Sequence, residues 1–137
     1  MVRIKLDQEA MGYSSLMEQF THVNVKDCFR EEDMVYFVVA TGELGKAVGK
    51  GGVVIKRVQE QLGKRVRVIE YNENPVDFVK NVIYPLTAHE ITEEESKIVI
   101  RDSSIKTKSL LIGRNAKNLQ FINKAVHRFF DKEVKVE

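Results

Sequence analysis

The sequence has one cysteine and two prolines among 137 residues. No apolar run approaches the ~20 residues needed to span a bilayer. With Cys28 alone an intrachain disulfide is impossible, and the residue reads as a small apolar member of a strand. The opening "MVRIKLDQEAMGY" lacks the long apolar core of a signal peptide, and its acidic residues argue against a transit peptide. These absences predict a cytoplasmic protein with no membrane partner. Ligand-type spacing is missing too. His22, His89 and His127 are scattered relative to one another and to Cys28, so no metal site is expected. No Ser/His/Asp or Cys/His arrangement has supporting context, and the acidic "EITEEES" reads as a solvated hairpin. A non-catalytic chain without a cofactor is the expectation.

What is present fits a soluble globular protein: 43% apolar and 31% charged residues, in a length that suits one ordinary domain or two very small ones. The net charge of +2 hides a segregation. Gly42 to Val68 carries seven Lys/Arg against two Glu, and Arg101 to Arg128 carries seven against one Asp. Those windows hold +5 and +6, which leaves −9 on the remainder. Two basic windows on an acidic background, each built around a glycine-containing turn, favour an anionic partner.

Apolar spacing predicts a helix over Asp7 to Phe20, a strand over Asn24 to Phe29, a turn at "REED" and a buried strand over Met34 to Ala40. Thr41 is placed to cap a short helix through Ala47, with Glu43 in its first turn. Val53 to Leu62 makes a second helix with Val54 or Ile55, Val58 and Leu62 inside and Lys56, Arg57, Gln59 and Glu60 outside. Gly63 ends it, and "RVRVIEY" alternates as a strand. Asn74 before Pro75 opens a helix that Pro85 closes. Strands follow around His89 to Glu93 and Lys97 to Arg101. Ser103 or Ser104 caps a helix to Ile112, Lys117 to Phe130 is the next helix, and "EVKV" is the last strand.

Residues 1–72 and 73–137 thus read α-β-β-α-α-β twice, an internal repeat. It registers at an offset of 64: Val48-Gly49 on Ile112-Gly113, Gly52 on Ala116, Ile55 on Leu119, Val58 on Ile122 and Leu62 on Val126. The last strands slip by about four residues, which predicts a final helix about one turn longer.

The stretch "GELGKAVGKGGVVIKRV" holds five glycines and four cations. Glycines at a helix start let an anion approach unpaired backbone N–H groups. A P-loop fails here, because Gly45 to Gly49 is one residue short and Gly51 stands where Ser or Thr is needed. A dinucleotide fingerprint fails because Val54 replaces its third glycine. A lone "GxxG" is a weak pattern and often only a tight turn. Inside a repeated β-α-turn-α-β frame it becomes strong.

The pattern [I/V]-G-x-x-G-x-x-[I/L] between two helices resembles the KH domain of RNA-binding proteins. Val48, Gly49, Lys50, Gly51, Gly52 and Ile55 match it in full, while the second copy offers Ile112, Gly113, Arg114, Asn115, Ala116 and Leu119. The resemblance implies a clamp on about four nucleotides of single-stranded RNA. In it the amides of Lys50, Gly51 and Gly52 would meet phosphates, bases would lie near Val48 and Ile55, and Lys46, Lys56 and Arg57 would flank the clamp. In the second copy Lys117 and Asn118 would offset Ala116. With the extra helix and strand ahead of the core, both copies resemble the type II arrangement, a mixed α/β (α+β) fold with a three-stranded sheet packed on helices. A tandem type II pair joined by "NENP" resembles the archaeal NusA family. That implies a transcription elongation, termination or antitermination factor on nascent RNA. The polymerase-binding and OB-type domains of bacterial relatives do not fit in this length, so RNA polymerase is expected as an indirect or weak partner and the protein as a monomer. The rival readings are a KH factor of ribosome assembly or translation, and a scaffold that has lost RNA binding.

Overall fold

A computed structural model describes residues 8–137. Asp7, where the spacing starts the first helix, lies outside them. Contacts divide the described residues into two compact units, with the boundary between Asn72 and Glu73. Each is considered by itself.

The first unit runs α1 (Gln8–Thr21), β1 (Val25–Glu31), β2 (Met34–Val39), α2 (Leu44–Val48), a single 3-10 turn (Lys50–Gly52), α3 (Val53–Leu62) and β3 (Arg65–Glu70). β1 pairs antiparallel with β2, which pairs in parallel with β3. Because side chains alternate along a strand, one face of the sheet presents Cys28, Val35, Phe37, Val39 and Val66 to the helices. Met17 of α1, Ala47 of α2 and Val58 of α3 complete that core. Full burial of an aliphatic or phenyl side chain contributes about 1.5–3 kcal/mol. Phe37, Met17 and Val58, all with no exposed surface, are therefore its anchors.

The second unit repeats the order: α4 (Pro75–Ile83), β4 (Glu90–Glu94), β5 (Lys97–Arg101), α5 (Ile105–Ile112), a 3-10 turn (Arg114–Ala116), α6 (Lys117–His127) and β6 (Glu133–Val136). Again the first pair of strands is antiparallel and the second parallel. This is the mixed α/β fold with a three-stranded sheet on helices that the sequence pattern predicts. Asn74 caps α4 as expected. Its side-chain oxygen accepts the N–H groups of Val76 and Asp77, with Pro75 at the first helical position. Ser104, rather than Ser103, caps α5 through the N–H of Thr107.

Four details differ from the sequence reading. β1 continues to Glu31, so the turn is only Glu32 and Asp33. Thr41 does not cap α2, because the helix starts at Leu44 and its N-cap position is Glu43, which therefore stands ahead of the first turn rather than in it. The Thr41 hydroxyl instead donates to the Tyr71 carbonyl. Gln59, expected to face outward, turns its side-chain oxygen to the N–H of Val66 and ties α3 to β3. Its counterpart at the repeat offset, Asn123, holds both the N–H and the carbonyl of Val134. Finally, α6 stops at His127. Most of the extra residues of the second copy enter the connection to β6, where the amides of Phe129 and Phe130 both turn back to Val126.

Candidate nucleic-acid interface

Each unit places a four-residue turn between two helices of its sheet-covering layer. In the first unit α2 is held by buried Ala47, and α3 by buried Val58. The chain must reverse direction between them in Gly49 to Gly52. Gly49 sits at φ 78°, ψ 166°, Gly51 at φ 64°, ψ 17°, and Gly52 at φ 77°, ψ 16°. All three lie in regions that a side chain disfavours.

The three glycines serve different ends. A Cβ on Gly49 would meet Val54 Cγ2 at 2.5 Å and the Val54 backbone nitrogen at 2.9 Å. Gly49 is therefore needed for the close approach of α2 and α3. A Cβ on Gly51 would meet nothing within 4 Å among the described residues, and one on Gly52 only Ile55 Cγ2 at 3.7 Å. Gly51 therefore leaves space on the outside of the turn, where a ligand can come near.

Hydrogen bonding decides which amides remain available. The N–H of Gly49 donates to Gly45, and that of Gly52 donates to Gly49 at 3.1 Å. The amides of Lys50 and Gly51 make no hydrogen bond among the described residues, and both residues are exposed. Two adjacent unpaired donors at a helix start are groups of the kind on which an anion settles. Lys50, Lys56 and Arg57 are exposed around it, while Val48 and Ile55 are half-buried at its base. Lys46 is exposed but its Nζ donates to the His22 carbonyl.

The second turn has the same shape. Gly113 lies at φ 77°, ψ 170°, Asn115 at φ 56°, ψ 30°, and Ala116 at φ 60°, ψ 20°. The hydrogen bonds also repeat, from Gly113 to Ser109 and from Ala116 to Gly113. Ala116 thus occupies the left-handed region that Gly52 occupies in the first copy. Asn does so at modest cost, because its short polar side chain tolerates that region better than others. The amides of Arg114 and Asn115 make no hydrogen bond among the described residues, and both residues are exposed. Lys117 is exposed beside them, and Ile112 and Leu119 are half-buried like Val48 and Ile55. The side-chain nitrogen of Asn118 is turned inward, to the carbonyls of Leu111 at 2.9 Å and Leu110 at 3.3 Å.

The remaining basic and aromatic candidates lie elsewhere. Phe37 is core. Tyr36, Arg65 and Arg67 alternate with the helix-facing residues of β2 and β3, so they occupy the opposite face of the sheet. Tyr36 stacks on Phe29, with ring centroids 5.2 Å apart. Burial pushes the Tyr36 phenol above its ordinary range and the Arg67 guanidinium below its own. Among the described residues no group of His, Cys, Asp and Glu could hold a metal ion, and no helix is long and apolar enough to cross a membrane.

In each unit a carboxylate also ties the connection ahead of α2 or α5 to the start of the sheet, which no sequence pattern announces. Glu43, just before α2, accepts the N–H of Asn24 at 2.7 Å. Asp102, before α5, accepts the N–H of His89 at 2.9 Å. Each acid bonds a backbone N–H more than a dozen residues away, and the two acids do not fall at the repeat offset, so no local pattern reports them.

Comparison with known proteins accords with this geometry. Residues 12–86 match the KH domain family, a span that takes in the first turn and ends before the second. The chain is 30% identical over 132 residues to a "Probable transcription termination protein NusA" of Halococcus morrhuae, covering 95% of each chain. It is 29% identical over 131 residues to a protein of the same description from Methanocaldococcus jannaschii, covering 93% of this chain and 72% of that one. Among solved structures, the crystal structure of APE1850 is similar at a TM-score of 0.79 and 30% identity, covering 96% of this chain and 99% of that one.

Proposed function

Because the chain belongs to the KH-domain family, as a NusA-like archaeal KH protein, we propose that it binds single-stranded RNA through its two glycine-containing turns. The observation that carries this reading is the pair of unpaired amides at each turn, Lys50 with Gly51 and Arg114 with Asn115, held in one backbone shape. Phosphates would be met by those amides and by the charges of Lys50 and Arg114. Lys56, Arg57 and Lys117 would add to the field, and bases would lie toward Val48 and Ile55 or Ile112 and Leu119. The chemistry is binding by backbone donors and local charge.

The relatives' descriptions as probable transcription termination proteins support the biological reading. We assign the protein to nascent RNA, as a factor in transcription elongation, termination or antitermination. RNA polymerase is a weak or indirect partner in this reading. Fluorescence anisotropy with short single-stranded RNAs tests the site. Binding should weaken with salt at a slope of about −0.7 per phosphate contacted. Gly51→Asp, whose new side chain has open space around its Cβ and brings a negative charge, should lose about tenfold or more in affinity, or ~1.4 kcal/mol. Equal, salt-insensitive binding by both proteins would sink the proposal.

A further inference from the structure

The second turn keeps the first turn's shape without glycine at its third and fourth positions, and the structure shows what compensates for them. At the repeat offset Val54 corresponds to Asn118. Both press on the first glycine of their turn: a Cβ on Gly113 would meet the Asn118 Cβ at 2.8 Å, as one on Gly49 would meet Val54. Beyond that contact Val54 is apolar and donates nothing. Asn118 donates from Nδ2 to the carbonyls of Leu111 and Leu110, among the last carbonyls of α5. Such carbonyls lack partners within a helix. Both partners are acceptors, so the nitrogen side of the amide must face them. Asn118 therefore bolts the end of α5 to the start of α6 across the turn.

The left-handed conformation at Asn115 and Ala116 sets the need for this bolt. In the first copy two glycines adopt that conformation without a Cβ penalty. In the second copy both residues carry a Cβ, and the cost is larger for Ala116 than for Asn115. We infer that Asn118 is the positioning residue of the second turn: its amide holds α5 and α6 together so that Arg114 and Asn115 present their N–H groups to a phosphate despite Ala116. This rests on the RNA reading above for its ligand, and it takes Asn118 out of direct contact with RNA through its donors.

The experiment swaps the copies. In a Gly51→Asp background that silences the first turn, Asn118→Val installs the first copy's residue, and Asn118→Asp keeps the shape without the donor. Two readouts are taken. Amide hydrogen exchange at Gly113 and Ala116, whose N–H groups close the turn, is followed by NMR. Affinity for a short oligouridylate is followed by anisotropy. Each variant should speed exchange and weaken binding by about tenfold, the loss of two modest hydrogen bonds. Adding Ala116→Gly should restore both, which a merely structural role for Asn118 would not give. Val54→Asn in the otherwise unsubstituted protein should change neither at the first turn. Unchanged exchange in Asn118→Val and Asn118→Asp, or no rescue by Ala116→Gly, would overturn the assignment. An unsubstituted protein that binds no oligouridylate would overturn the RNA reading beneath it, while the exchange results still decide what Asn118 does to the turn.

Discussion

Gly49→Ala is the sharpest test of the turn's construction. At φ 78°, ψ 166° a residue with a Cβ is strained by about 1–3 kcal/mol. The new methyl would also stand 2.5 Å from Val54 Cγ2 and 2.9 Å from the Val54 nitrogen. A flexible side-chain end can move aside, but that nitrogen belongs to the first turn of α3, whose Val58 is fully buried. Overpacking of this kind costs about 1–3 kcal/mol more. The sum, about 2–6 kcal/mol, is a large part of the ~5–15 kcal/mol that holds an ordinary domain. Gly51→Ala carries only the left-handed penalty, about 1–2 kcal/mol, since its methyl meets nothing. Gly52→Ala adds an ordinary contact at 3.7 Å and should resemble Gly51→Ala. Urea unfolding read by hydrogen exchange in peptides of residues 8–72 should rank Gly49→Ala well below the other two. A Gly49→Ala protein within about 0.5 kcal/mol of Gly51→Ala would refute the reasoning, because strain and crowding would then be absent where the geometry puts them.

Three further outcomes are expected. Asn74→Ala removes the side-chain oxygen that accepts two amides at the start of α4, and should destabilise the second unit by about 1 kcal/mol in urea denaturation. Asn123→Ala loses two hydrogen bonds to Val134 where Gln59→Ala loses one to Val66. Each bond is worth about 0.5–1.5 kcal/mol, so exchange-resolved unfolding should show the larger drop for Asn123→Ala. Desolvation of the half-buried Tyr36 phenol raises its ionisation above the unfolded value of 10.0. Its contribution is complete below pH 10 and is lost as pH rises through the folded value, since the unfolded chain releases its proton first. Stability measured across that alkaline range should decline less steeply in Tyr36→Phe than in the unsubstituted protein.

Much of the fold was legible because periodicity and punctuation reported on the same physics that builds it. The bounds of α3 and β5, the Asn74 cap and the glycine that ends α3 all follow from local spacing and backbone freedom. The repeat was legible because Val58 and Ile122 occupy the same buried place, and Ile55 and Leu119 the same half-buried one. The failures share a cause. Thr41, Gln59 and Asn118 each spend a polar side chain on the backbone of another element. No amphipathic pattern encodes such a bond, since the residue looks like a solvated one until its partner is positioned. The same holds in the turn itself. Its glycines were readable, but not that the Gly52 amide closes the turn on Gly49 and leaves its two neighbours as the open donors.

The Asn123 clamp has a consequence for how copies of the protein behave in company. Among the described residues β6 borders only β5 in its sheet, and the outer side of an edge strand is a template on which a foreign strand can add. Asn123 accepts from the N–H of Val134 and donates to its carbonyl, as the peptide group of an incoming strand would. A single side chain thus impersonates a neighbour and fills the vacancy. Gln59 closes only the N–H half of the matching place on β3. When the crowded chain opens and recloses, the β6 edge is guarded against strand exchange at that residue, and the β3 edge is the more receptive of the two.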